Sequence, residues 1–167
     1  GGAIYNSDFS TVIVRNSTFS ENSAFVGGGI LNMGQLTVSD SNFANNSVGT
    51  WGSGGGIYDS GILTVTNSTF SKNSAVWGGG IDTYGMATVN NSIFSGNSAG
   101  MRGGGIMSSG TLTVTNSAFS SNVAGGGGGV AGAGVLTIEC SAVDGNSVEY
   151  GGGIGSFGET KVNNSTF

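Results

Sequence analysis

The chain has 167 residues, of which 35 are glycine and none is proline or histidine, and only 8% carry a charge. Four basic residues, Arg15, Lys72, Arg102 and Lys161, stand against nine acidic ones for a net charge of −5, so there is no basic stripe with which to bind nucleic acid or an anionic membrane. No apolar run approaches the ~20 residues that cross a bilayer, the single Cys140 can form no internal disulfide, and no Cys/His cluster offers a zinc site.

The first recognisable element is a Gly-Gly-x-Ile box at residue 1, and it returns at residues 27, 54, 78, 103, 127 and 151 in steps of 24 to 27. Periods of this size signal a solenoid, in which each repeat buries its apolar face only by stacking on its neighbours. Glycine, serine and asparagine at this density could also mark a disordered linker, but a linker has no reason to hold Val, Ile, Leu and Phe at fixed phase.

Followed along the chain, the repeats superpose into columns. One runs Ile4, Ile30, Ile57, Ile81, Ile106, Val130 and Ile154; another runs Phe19, Phe43, Phe70, Phe94, Phe119, Val143 and Phe167. Both are apolar and are predicted to form the core. Between them, stretches such as Leu36-Thr37-Val38, Leu63-Thr64-Val65, Leu112-Thr113-Val114 and Leu136-Thr137-Ile138 alternate apolar and polar residues with the period of a half-buried strand. Thr37, Thr64, Thr88, Thr113 and Thr137 then make an outward ladder. Three residues after each position of the Phe column stand Asn22, Asn46, Asn73, Asn97, Asn122 and Asn146, expected to form an amide ladder at a left-handed turn. Asn16, Asn67, Asn91, Asn116 and Asn164 suggest a second, partial ladder with Asp40 and Cys140 substituting in it. Triplets such as Asn16-Ser17-Thr18 spell glycosylation acceptors, but the same turn chemistry accounts for them.

Helix is excluded by the glycine triplets and the lack of any 3.6-residue apolar period. The expected architecture is all-β: a right-handed parallel β-helix of about seven coils, each of 24–27 residues with three short strands. Residues 1–167 read as a single β-solenoid segment roughly 30 Å long at sheet spacing. The chain opens inside one repeat and stops at Phe167 without a polar cap at either end, so a slice of a longer polypeptide, or a subunit covered by neighbours, is expected.

The boxes, paired with Phe19-Ser20-Glu21-Asn22, Phe43-Ala44-Asn45-Asn46, Phe70-Ser71-Lys72-Asn73, Phe94-Ser95-Gly96-Asn97 and Phe119-Ser120-Ser121-Asn122, resemble the repeats of chlamydial polymorphic outer-membrane proteins. They are similar, too, to the right-handed β-helix repeats of large bacterial surface proteins in the pectate-lyase-like superfamily. The resemblance covers the whole chain and implies an extracellular stalk or adhesive passenger on the outer surface of a bacterium. Val143 departs from the pattern by replacing Phe.

An enzyme of that superfamily would need paired acids in phase on one outer face, with calcium ligands and a base. Asp59 and Asp82 lie on adjacent coils at different phases; Glu139, Asp144, Glu149 and Glu159 have no companion column, and Arg102 has no acid cluster beside it. These read as scattered surface charge, and no catalytic, metal or cofactor residue is assigned. A calcium roll fails because Ile57 stands where Gly-Gly-x-Gly-x-Asp needs glycine, and the Gly127-x-Gly129-x-x-Gly132 match to a dinucleotide fingerprint opens no helix. The glycine triplets could leave a stripe open to a sugar ring or a partner backbone, flanked by Tyr5, Trp51, Tyr58, Trp77 and Tyr150 as a glycan or partner surface. The expected role is therefore a non-catalytic structural or adhesive rod that self-associates end to end or meets glycans and neighbouring cell surfaces. A fragment of a polysaccharide lyase or hydrolase, and an ice-binding solenoid using the Thr ladder, are the alternatives.

Overall fold

The computed structural model describes residues 1–167. Each coil crosses four parallel sheets, not three. Sheet A stacks the strands that follow the glycine boxes, from Ile4–Asn6 to Ile154–Ser156; sheet B stacks seven five-residue strands from Thr11–Arg15 to Glu159–Asn163. Sheet C holds the Phe-bearing strands from Thr18–Ser20 to Ala142–Asp144, and sheet D those from Ser23–Ala24 to Ser147–Tyr150. The fourth strand is hard to see in the sequence because it carries small residues inward, Ala75, Ala99 and Ala124, and no recurring aliphatic marks it.

Registers are those of one coil on the next. Ile30 pairs with Ile57, Ile57 with Ile81 and Ile81 with Ile106; in sheet C, Phe19, Phe43, Phe70, Phe94 and Phe119 stack face on face at 4.6–4.8 Å between ring centroids. With Leu36, Leu63, Leu112 and Leu136 from sheet B they form one continuous core of 22 buried residues. Offset stacking adds about 0.5–1.5 kcal/mol per ring pair to the burial.

The Asn column is a true ladder. Asn46 Nδ2 donates to Asn73 Oδ1, Asn73 to Asn97 and Asn97 to Asn122, at 2.9–3.0 Å, and each Nδ2 also donates to a Phe carbonyl of the preceding coil at 2.9 Å. Each Oδ1 accepts in addition a backbone N–H at 3.0 Å, so every hydrogen-bonding atom of these buried amides is used. The left-handed turn belongs to the residue before: Glu21, Asn45, Lys72, Gly96, Ser121 and Gly145 have φ of 54–62°.

The second Asn column differs from its expectation. Asn16, Asp40, Asn67, Asn91, Asn116, Cys140 and Asn164 all sit at φ of 48–51°, which selects residues tolerant of the left-handed region and turns their side chains outward. Only Asn67 donates to Asp40 across coils, at 3.2 Å. The hydrogen-bonded ladder at this corner is made by serines one residue on. From Ser17 to Ser165, each Ser N–H donates to the next coil's Ser Oγ at 3.1–3.2 Å, and each hydroxyl donates to a carbonyl two residues back at 2.7–2.9 Å.

Two glycine columns shape the bends. The first glycine of each triplet has φ of 60–70°. The remainder are wedged between coils: a Cβ on Gly80 would lie 2.6 Å from the Gly105 carbonyl oxygen. A separate column, Gly34, Gly61, Gly85, Gly110, Gly134 and Gly158, turns sheet A into sheet B, and a Cβ on Gly85 would stand 1.9 Å from the Gly61 carbonyl oxygen.

Candidate functional site

The triplets form no open stripe. Gly54, Gly55, Gly56, Gly79, Gly80, Gly104 and Gly105 are buried, filled by the next coil's backbone and by Phe rings. The aromatic residues beside them fall into separate groups. Tyr5 is exposed and Tyr58 half-buried in the outward column of sheet A, with Leu31 between them; Tyr84, on the adjoining turn, brings its ring to 5.7 Å from that of Tyr58. Trp77 and Tyr150 belong to one column of sheet D, which reads Trp77, Arg102, Gly126, Tyr150. Trp51 is exposed on the turn leading to Ser53, whose backbone bridges to Trp77.

Asp59 and Asp82 correct the expectation of scattered surface charge: both are fully buried. Asp59 continues the inward column Asn6, Asn32, Asp59, Thr83. Its Oδ1 accepts from Asn32 Nδ2 at 2.6 Å and from the Gly61 N–H at 3.2 Å, and its Oδ2 accepts from the Thr83 hydroxyl at 2.8 Å. Burial raises its pKa, and those three donors oppose the rise. Asp82 lies in the outward column, between Tyr58 and Met107, closed over by the chain. Neither of its oxygens has a hydrogen-bond partner. Burial pushes its pKa up to about 7, and the nearby Ser53 hydroxyl, short of hydrogen-bond geometry, counters this only in part. Burial and then the Asp82 charge also raise the phenols of Tyr58 and Tyr84. The two carboxylates occupy different columns and are sealed from solvent, so they offer no acid pair to a polysaccharide on the outside.

Sheet B carries the Thr ladder in register: Thr37 pairs with Thr64, Thr64 with Thr88, Thr88 with Thr113 and Thr113 with Thr137. Ile13 and Lys161 close its two ends. From Gln35 to Thr115 the outward positions of four successive strands are all uncharged, with Ile62 and Met86 exposed beside the Thr column.

Three hollows mark the surface. One of about 490 Å³ lies at the Asn16–Asp40–Asn67 corner and is wholly polar; a second of about 370 Å³ lies between Phe9 and Met33. A third, about 400 Å³, is lined by Met101, Arg102, Glu149, Tyr150 and Phe157 over Gly100, Gly125 and Gly126. There the Arg102 guanidinium sits 3.8 Å over the Phe157 ring.

With this geometry in place, comparison with known proteins adds one finding. A family model described as a right handed beta helix region matches residues 1–119. Neither the curated proteins nor the solved structures yield a match.

Proposed function

This chain belongs to the right-handed β-helix family, and from that premise we propose that it is a non-catalytic structural and adhesive rod on the outside of a bacterial cell. The observation that supports this is the continuity of its ladders. Core, Asn, Ser and glycine columns run coil to coil in register, so the molecule is a stiff spacer whose outer faces repeat at sheet spacing. Its acids fit poorly with glycan cleavage, since Asp59 is saturated by donors and Asp82 is enclosed. The proposed partners are coils stacked on either end of the rod, glycans, and neighbouring cell surfaces.

The test is adhesion measured against turnover. The purified chain is expected to be retained on bacterial or host cell surfaces and on immobilised glycans, while releasing no reducing ends and no unsaturated uronides from polysaccharide. Release of product would overturn the non-catalytic reading; absence of retention on every surface would overturn the adhesive one. Antibody labelling of intact producing cells checks the location.

A second reading has its own observation, the in-register Thr column on the uncharged face of sheet B. Ice binding there requires that Thr88→Tyr or Thr113→Tyr abolish thermal hysteresis while leaving the circular dichroism of the rod unchanged.

A further inference from the structure

In the column Trp77, Arg102, Gly126, Tyr150, three coils carry large side chains and one carries none. The gap is not imposed by the backbone. Gly126 has no left-handed φ, and a Cβ built on it meets only Arg102 Cγ at 3.8 Å and the Met101 and Tyr150 carbonyl oxygens at 4.0 Å, all ordinary contact distances. The strands bearing Arg102 and Tyr150 are two coils apart, about 9.6 Å at the spacing of a sheet. The omitted side chain leaves a slot between them, floored by Gly125 and Gly126.

The walls of the slot have a definite chemistry. Tyr150 is 72% exposed and presents an aromatic face, while Phe157, 55% exposed, has one face covered by Arg102. Arg102 is oriented by stacking on Phe157 and forms no ion pair, the only one in the molecule being Lys161 with Glu159. Glu149 lines the same groove. Aromatic faces pack against the C–H faces of a sugar ring, a guanidinium donates two parallel hydrogen bonds, and a carboxylate accepts them. A volume of about 400 Å³ lies within the ~300–1,000 Å³ range of small-molecule sites.

We infer that this groove is a glycan-binding site for a neutral pyranose unit, held on the Tyr150 face beside the Phe157–Arg102 pair and hydrogen-bonded through its hydroxyls to Arg102 and Glu149. The charge balance selects the class. One cation and one anion satisfy a polyol that both donates and accepts, whereas a uronate meets Glu149 and an amino sugar meets Arg102. The inference deepens the adhesive reading and rests on it, naming the ligand class and the coils that hold it.

Gly126 is buried beside the Arg102 side chain yet leaves room for a Cβ, and this supplies the test. Gly126→Leu fills the slot without backbone strain and is expected to unfold at the wild-type temperature. Cellotetraose, maltotetraose and tetragalacturonate are titrated into the isotope-labelled chain, followed by amide shifts of Gly126, Tyr150 and Phe157. At least one neutral tetrasaccharide is expected to shift these resonances, with affinity reduced more than tenfold in Gly126→Leu and about tenfold in Tyr150→Ala, and tetragalacturonate is expected to bind more weakly. Binding of neither neutral sugar, equal binding by Gly126→Leu, or preference for tetragalacturonate would overturn the assignment. The same variant in the cell-adhesion assay separates the two claims. If Gly126→Leu adheres normally, the groove is refuted as the adhesive site while the adhesive reading stands; if the wild-type chain binds sugar yet adheres nowhere, the adhesive reading falls and the groove stands.

Discussion

Asn97 and Asp82 are fifteen residues apart in sequence and equally inaccessible to water, yet their situations are opposite. Asn97 faces inward with all its donors and acceptors occupied: two hydrogen bonds reach it from Asn73, and its own amide donates to Asn122 and Phe70. Asp82 faces outward from sheet A, is roofed by the chain and has no partner for either oxygen. Burial therefore does not decide whether a polar group stabilises a fold; the count of satisfied atoms does. The inward column had the repeat to align its partners, whereas the outward one received a carboxylate in a single coil.

The sharpest way to break this contrast is Asn97→Leu, which keeps the number of side-chain heavy atoms and removes four hydrogen bonds from the core. At about 0.5–1.5 kcal/mol for each hydrogen bond lost, the loss should be about 2–6 kcal/mol, read as a large fall in urea midpoint. Asp82→Asn should act in the opposite direction and only over part of the pH range. Well below pH 3.8 folded and unfolded chains both keep the Asp82 proton; between 3.8 and about 7 the unfolded chain releases it while the folded one holds it. The unfolded state then binds fewer protons, so wild-type stability falls as pH rises through that window and levels off above it. The variant should be the more stable by up to about 4 kcal/mol above pH 7 and indistinguishable below pH 4, which denaturant titrations across the pH range will show. The smallest effect belongs to Asp59→Asn. Its three donors include a hydroxyl that can turn to accept, so the amide extends the Asn6–Asn32 ladder by one rung; the cost should stay within about 1 kcal/mol.

The same contrast explains what could be read from the residues alone. Ile57, Phe70 and Asn73 recur at one phase in nearly every repeat, and stacking the repeats puts like on like, so the core and the amide ladder follow from alignment. The serine column is equally regular, unbroken from Ser17 to Ser165, but the asparagines beside it carry the stronger turn and glycosylation signals. The fourth strand was hidden by glycine and alanine. Asp82 and the Arg102–Phe157 groove were not legible. The first lies where the glycine corner folds back against the outward column of sheet A, a column in which Met107 and Ala131 are buried too and which strand alternation alone would leave exposed, and the second depends on register shifts in sheet D that bring Arg102 opposite Gly126.

The amide ladder has a consequence for how such rods lie together. From Asn22 to Asn146 every amide-to-amide bond runs the same way, each Nδ2 donating one proton to the following coil's Oδ1, while from Asn46 on its second proton goes back to a Phe carbonyl. The bond dipoles therefore add along the axis, as peptide dipoles do in a helix, while the backbone bonds of the parallel sheets run in both directions and largely cancel. The chain of amide-to-amide bonds thus has its positive end toward the C-terminal coil. Two such rods side by side have lower electrostatic energy antiparallel than parallel, and in an oriented sample an applied field will distinguish one end from the other.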